Sequence, residues 1–383
     1  MEEWTRRTFI QQALGVGGAL TLGLACARPE SDSDLFASGE WLGNQSFLDG
    51  KEPLQLGDGL DARFHTDLTA LTPATLITPN ERFFIRTRCS DLLDFAQPWK
   101  IAVRGLVERP VEIGLDELKP LVKPMGTVLL ECAGNQRRPF GLMSAAQWSG
   151  VPLTEVLARL NIKAEATRVL ISGFDEYSTK PHSSIPGASW VFTFAELEQY
   201  GAFLATEMND EPLPRDHGFP VRLVVPRWFS CVDIKWVNEI VLVDDGAKAT
   251  SQMLEFASRI NQQGDPKFAK DFDPALIDQA ALPIRVEKWR VAERIVYRVV
   301  GLMWGGERPT DKLMIRFGQD RDPVPVNMPY VQETNNTWTL WSHAWEPARM
   351  GFYDITMDID DASVRTWRLD RGLHRRRIYI RQV

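Results

Sequence analysis

The sequence predicts an α+β chain, with a mixed α/β block over residues 80–250 followed by an all-β sandwich over residues 284–383. Between Phe83 and Val243, apolar runs suited to buried strands alternate with stretches of helical spacing. From Ile284 onward only strand patterns occur, over a length of about 100 residues that fits a two-sheet sandwich. Thirteen Trp and 24 Pro favour strands, corners and irregular loops over an all-helical fold.

Taken in order, the first element is an apolar run at Thr127–Leu130, expected as a buried strand. Leu153, Val156, Leu157 and Leu160 recur at i, i+3, i+4 and i+7, which places them on one face of a helix that Pro152 suits at its start. Val169–Ile171 reads as the next strand. Thr193-Phe194-Ala195-Glu196 reads as a capping box, in which the Thr and Glu side chains satisfy each other's backbone donors before Leu197. Val221–Val225 and Ile234–Val243 are strand candidates with β-branched character. Residues 251–283 are irregular and read as a linker. Later strands are expected at Val296–Leu302, at Leu313-Ile315-Phe317, at Tyr353-Ile355-Met357-Ile359, and at Ile378 with Ile380. Residues 28–79 are polar and turn-rich, with Ser31-Asp32-Ser33-Asp34 and Gly57-Asp58-Gly59, and read as an N-terminal arm.

Thr5-Arg6-Arg7-Thr8-Phe9-Ile10 precedes an uncharged run through Ala27 that four glycines dilute, leaving it too weakly apolar for a membrane span. Residues 1–27 resemble a twin-arginine signal peptide, which implies export and a periplasmic destination. Ala25-Cys26-Ala27 offers a small-x-small cleavage site, whereas Gly23 makes a poor lipobox, so lipid anchoring at Cys26 is the disfavoured alternative. An oxidising compartment permits a disulfide among Cys89, Cys132 and Cys231. The 44 Lys and Arg against 51 Asp and Glu leave a net charge of −7, which argues against a nucleic-acid partner. The four Cys form neither CxxC nor CxxCH, so no zinc ribbon and no covalent haem can be written in this chain.

Glu131-Cys132-Ala133-Gly134-Asn135-Gln136-Arg137-Arg138 follows the first strand directly. A thiol facing guanidinium groups is favoured as thiolate, a soft ligand for a redox metal. The alternative is a buried inert cysteine beside a solvated arginine pair.

Four motifs carry a resemblance: Leu130-Glu131-Cys132-Ala133-Gly134-Asn135, Trp148-Ser149-Gly150-Val151-Pro152-Leu153, Glu207-Met208-Asn209 with Pro212-Leu213-Pro214-Arg215-Asp216-His217-Gly218-Phe219-Pro220-Val221-Arg222, and Lys235-Trp236. In this order they resemble the sulfite oxidase family of molybdopterin enzymes. The resemblance implies a mixed α/β molybdopterin-binding domain followed by an immunoglobulin-like dimerisation domain, hence a homodimer. It implies that Cys132 is the single protein ligand of molybdenum, the pterin dithiolene supplying the other sulfurs. Arg86 and Arg137 fall at active-site arginine positions, suited to a small anionic substrate. Phe84, Ile85, Arg86, Asp175, His217, Arg222, Asp233, Ile234 and Lys235 fall at positions that hold the pterin and its phosphate. For His217 a satisfied core histidine is the alternative; for the arginines it is surface salt bridges. The implied chemistry is oxygen-atom transfer to a sulfur oxyanion, with electrons passed to a separate carrier such as an exported cytochrome c.

Departures from the pattern bear on the substrate. Ungapped counting places Phe256 where sulfite-oxidising members have a tyrosine, and Thr87-Arg88 replaces Asn-His. Gln136 stands where Arg is common, and Tyr177 is another source of a hydroxyl. Two further readings use the same residues: a reductase of S- or N-oxides, and a non-catalytic exported binding protein. In the C-terminal block, Trp338, Trp341, Trp345 and Trp367 are candidates for a dimer surface or for the sandwich core.

Overall fold

The computed structural model describes residues 32–48, 63–135, 140–175, 188–264, 266–318, 322–330, 332–364, 366, 369 and 374–383. Residues 1–27, expected as a signal peptide, and Arg137, Tyr177 and Trp367 lie outside the described residues.

The α/β block contains two sheets. One runs β3 (Val111–Gly114), β2 (Lys100–Gly105), β11 (Val237–Val243), β6 (Arg168–Gly173), β7 (Ala188–Thr193), with β11 parallel to β2 and the other pairings antiparallel. The other is antiparallel and runs β10 (Arg222–Val224), β8 (Phe203–Met208), β5 (Met143–Pro152), β4 (Lys123–Glu131), with the short β9 (Glu211–Pro212) on β8. Strand alternation divides the second sheet between two cores. Leu129, Met143, Ala145, Leu204 and Leu223 enter the main core. Val128, Leu130, Ala146, Trp148, Phe203 and Val224 enter a smaller one that also holds Cys132.

The C-terminal block is a two-sheet sandwich. One sheet runs β1 (Glu40–Gln45), β12 (Ala280–Val291), β13 (Arg294–Trp304), β16 (Thr339–Trp345), and the other β15 (Val324–Pro325), β14 (Leu313–Phe317), β17 (Gly351–Ile359), β18 (Arg376–Ile380). Val299, Trp341 and Trp345 from the first sheet share a core with Ile315, Ile355 and Ile378 from the second. Trp341 lies across Gly301, where a Cβ would stand 2.1 Å from the indole, so that crossing requires a glycine. Leu282, Ile284, Val300 and Trp304 instead enter the main core of the α/β block, so the two blocks share continuous apolar packing.

The fold is mostly β, with less helix than an α+β class implies. No α-helix among the described residues exceeds six residues. The helix expected through Leu160 ends at Leu157, and Leu160 follows in a turn closed by its N–H to the Leu157 carbonyl at 3.0 Å. The capping box forms, with Thr193 Oγ1 accepting from Glu196 N at 3.0 Å and Glu196 Oε2 accepting from Thr193 N at 2.7 Å.

The strand expected from Ile234 starts at Val237 instead. Trp236 adopts a left-handed φ of 53°, which lifts Ile234 and Lys235 out of the sheet. The N-terminal segment, read as an arm or wrapping segment, wraps the sandwich. Its strand β1 pairs with β12, and Phe47 then bridges to Ile378, so the segment passes from one sheet of the sandwich to the other. Farther on, Thr66 Oγ1 hydrogen-bonds Ser144 Oγ at 2.5 Å on β5. Trp338, Trp341 and Trp345 are buried, Trp338 in the main core and the other two inside the sandwich, so none of the three forms a surface.

Candidate active site

A cavity of about 390 Å³ opens where the ends of β4 and β6 meet the 83–87, 215–217 and 230–236 segments and the helix Ser251–Phe256. Its lining includes Phe84, Arg86, Cys132, Asp175, His217, Arg222, Asp233, Ile234 and Lys235, so nine expected site residues meet in one place. Ile85 does not line it. Its backbone pairs with Phe64, the two residues exchanging N–H···O bonds at 2.9 and 3.0 Å.

Cys132 follows β4 directly. Its N–H donates to the Leu142 carbonyl at 2.9 Å, and the Gly134 N–H points back at Sγ from 3.3 Å. Asn135 holds the loop closed: its Oδ1 accepts from Gly141 N and Leu142 N, both at 3.1 Å, while Nδ2 donates to Glu131 Oε1 at 3.0 Å. Glu131 is buried, and its Oε2 accepts from the Trp304 indole on β13 at 2.8 Å. The cysteine loop is therefore fastened to the sandwich as well as to its own sheet. Burial pushes the Cys132 thiol up, while the Gly134 N–H, then Arg86 and Arg259, pull it down. Cys89, Cys132 and Cys231 are free thiols, so the disulfide that an oxidising compartment permits is not formed among them.

Phe83 and Phe84 seat the Arg86 segment. Phe83 packs edge-on to Trp148 and to His217, and Phe84 N donates to Ser144 Oγ at 3.0 Å. His217 ends a 3-10 turn, after which Gly218 adopts a φ of 108°. A Cβ there would stand 2.9 Å from Arg222 Cβ, so the close approach of His217, Arg222 and Lys235 depends on this glycine. Burial, with Lys235 and Arg222 nearby, lowers the His217 imidazole to about 3. The ring is neutral, and its Nε2, 3.2 Å from the Asn80 carbonyl, is the nitrogen placed to donate.

Arg222 is buried, with Nη1 donating to the His217 carbonyl at 3.0 Å and Nη2 to the Asp233 carbonyl at 3.3 Å. Asp233 is also buried and accepts Val225 N at 2.8 Å; burial outweighs Arg222 and raises its carboxyl to about 6. Lys235 Nζ donates to the carbonyls of Thr87 and Asp216, and burial, then Arg222, lowers it to about 7.

Sequence reasoning missed several lining residues. Asp216, Ser230, Cys231 and Trp236 stand beside expected positions and could have been taken with them. Gln252 and Glu255 lie on a helix placed in the linker, because Thr250 caps it without the Glu partner of a capping box. Phe256, which ungapped counting sets against the tyrosine of sulfite-oxidising members, lines the cavity.

A family model for the oxidoreductase molybdopterin binding domain matches residues 90–251. Mitochondrial sulfite oxidase of Rattus norvegicus is 33% identical over 184 residues, 44% of this chain and 34% of that protein. Sulfite oxidase of Gallus gallus is 30% identical over 217 residues, 52% of this chain and 47% of that protein. Residues 90–251 thus carry an oxidoreductase molybdopterin binding domain similar to that of the sulfite oxidases. The chain spans less than half the length of these two relatives. The crystal structure of the sulfane dehydrogenase SoxCD from Paracoccus pantotrophus superposes with a TM-score of 0.63 at 17% identity, covering 93% of this chain and 88% of that one. The likeness of fold thus extends beyond residues 90–251 into the sandwich.

Proposed function

We propose that this chain is an exported molybdenum–molybdopterin oxidoreductase that transfers an oxygen atom to a sulfur oxyanion and delivers electrons to a separate carrier, such as an exported cytochrome c. The observation that carries this reading is the meeting of Cys132 with Arg86, Arg222 and Lys235 in one cavity.

The residues present suit the cofactor. The soft thiol of Cys132 stands in a cavity that also presents Arg86, Arg222 and Lys235, with Cys231 as a second lining thiol. Arg222 Nε is buried and has no hydrogen-bond partner among the described residues, as expected of a donor reserved for a ligand. Cys132 would hold the metal; His217, Arg222, Asp233 and Lys235 would hold the pterin and its phosphate. When bound, the group supplies two-electron oxygen-atom transfer. Arg86 binds and orients the oxyanion by charge-assisted hydrogen bonds. His217 stays neutral and so adds no charge to the pterin face. Asp233, when protonated, offers a donor, and when ionised it complements Arg222.

The phenyl ring of Phe256 keeps the shape of a tyrosine but cannot donate a hydrogen bond, which favours a sulfur oxyanion other than sulfite as the preferred substrate. The sandwich, which we assign an immunoglobulin-like role in homodimerisation, carries exposed Phe352 and Tyr379 side by side on its outer face. Light scattering at micromolar concentration should give the dimer mass; the monomer mass would contradict that assignment.

The functional reading is tested by measuring molybdenum and pterin in the purified chain, then sulfur-oxyanion oxidation with a cytochrome c acceptor. Stoichiometric metal with turnover supports it. Metal-loaded protein that oxidises no sulfur oxyanion contradicts it.

A further inference from the structure

The proposed function calls on Arg86; a further cation, Arg259, rests on a ring of the cavity lining. Arg259 closes the 3-10 turn Ala257–Arg259 that continues the helix Ser251–Phe256. Its guanidinium carbon lies 4.9 Å from the centroid of the Phe256 ring, and that ring lines the cavity beside Cys132. The position expected for a tyrosine thus carries a phenyl platform on which a positive charge rests.

This platform is fixed rather than draped. Thr250 caps the helix, accepting Met253 N at 3.2 Å and donating to the Ser189 carbonyl at 2.7 Å. The Gln252 amide donates to the Cys231 carbonyl, which ties the helix to the cavity wall. Met253 and Ile260 are buried in the main core on either side of Phe256 and Arg259. The Ile260 N–H donates to the Phe256 carbonyl at 3.2 Å and closes the turn. Buried anchors before and after Arg259 fix the backbone from which its guanidinium reaches the ring. Its charge reaches the thiols of both Cys132 and Cys231, which places it within electrostatic range of the reacting centre.

We infer that Arg259, seated on Phe256, is a substrate-positioning residue that draws the anionic end of the substrate into the cavity opposite Arg86. The inference rests on the proposed oxyanion chemistry. It accounts for a residue that lacks a hydroxyl: what Phe256 loses as a donor it supplies as a seat for a cation. It also sets a preference, because a cation held on the Phe256 ring, apart from Arg86, favours substrates whose negative charge sits away from the sulfur that reacts, as in longer sulfur oxyanions.

The test uses the holoenzyme and sulfate as an unreactive probe, with affinity read by calorimetry. Arg259→Gln should weaken sulfate about tenfold, one charge-assisted contact, and Arg259→Lys should stay within about threefold of wild type. Phe256→Leu should weaken sulfate in the same direction, because the seat is lost while the charge remains. In turnover, Arg259→Gln should raise KM for an anionic sulfur substrate by a similar factor with kcat within about twofold. Sulfate affinity unchanged in Arg259→Gln while lost in Arg86→Gln would overturn the inference. Sulfate affinity lost in Arg259→Gln, in a protein that oxidises no sulfur oxyanion, would uphold the anion site and remove the proposed reaction instead.

Discussion

Replacing Glu131 with glutamine exchanges one oxygen for an NH2 group at the point where the cysteine loop meets the sandwich. In the folded chain, Oε1 accepts from Asn135 Nδ2 and Oε2 from Trp304 Nε1, and the side chain is fully buried. The amide can face only one of these donors with its oxygen, so the other meets an N–H and is left without an acceptor. Stranding a buried donor costs about 1–3 kcal/mol, and water cannot reach the site to compensate. Trp304→Phe removes the indole donor and should cost a similar amount. Because both changes break the same hydrogen bond, a double-mutant cycle should give a coupling of about 0.5–3 kcal/mol rather than additivity. The global effect is read by chemical denaturation. The local one is read by the rate at which Cys132 reacts with an aromatic disulfide reagent in metal-free protein, with Cys89→Ser and Cys231→Ser in the background. Both should change together, the thiol reacting faster as the loop opens more often. Glu131→Gln within 0.5 kcal/mol of wild type, with unaltered thiol reactivity, would refute the claim that this carboxyl fastens the cysteine loop.

Three further outcomes follow from the cavity's electrostatics. Burial and Arg222 lower Lys235 to about 7, so above pH 7 it is mostly a neutral amine. A phosphomonoester, dianionic above its second pKa of about 6, favours the ammonium form, so binding should take up a proton and weaken by up to about tenfold per unit as pH rises above 7. Calorimetry in two buffers of different ionisation enthalpy measures that uptake; pH-independent affinity between 7 and 9 would count against it. Arg86→Gln should raise KM for an anionic substrate by about 10–150-fold, the value of one well-formed charge-assisted hydrogen bond, with a smaller effect at high salt. Phe256→Tyr should speed sulfite oxidation by about one to two decades if the hydroxyl acts only in the transition state; a variant no faster than wild type would show that the hydroxyl is not what limits sulfite.

What was legible in the sequence was what local chemistry decides. The Thr193–Glu196 box formed because both partners lie within one turn, and the 127–130 strand formed because three consecutive apolar residues, Val128 to Leu130, had two cores to enter. Most of the expected cavity residues also came together, since the 215–222 and 230–236 runs are continuous in sequence and fold as continuous walls. The misses share a different cause. The strand β1, Glu-Trp-Leu-Gly-Asn-Gln, has no alternation because it is an edge strand held chiefly by backbone pairing to β12. The strand at Ile234 was cut short by one residue, Trp236, whose left-handed backbone delivers Lys235 to the cavity, and β-branched neighbours could not reveal that. Of the tryptophans that were candidates for a dimer surface or for the sandwich core, Trp338, Trp341 and Trp345 are buried, a choice composition could not make because it counts rings without saying which face they occupy.

The central claim is that the Cys132 thiolate is the protein's donor to the metal. X-ray absorption at the molybdenum edge, recorded on metal-loaded wild type and on Cys132→Ser, tests it most directly. The account predicts one sulfur fewer at the metal in the serine variant, with turnover nearly abolished and the fold retained. The same sulfur count in both proteins, with the variant fully active, would contradict it.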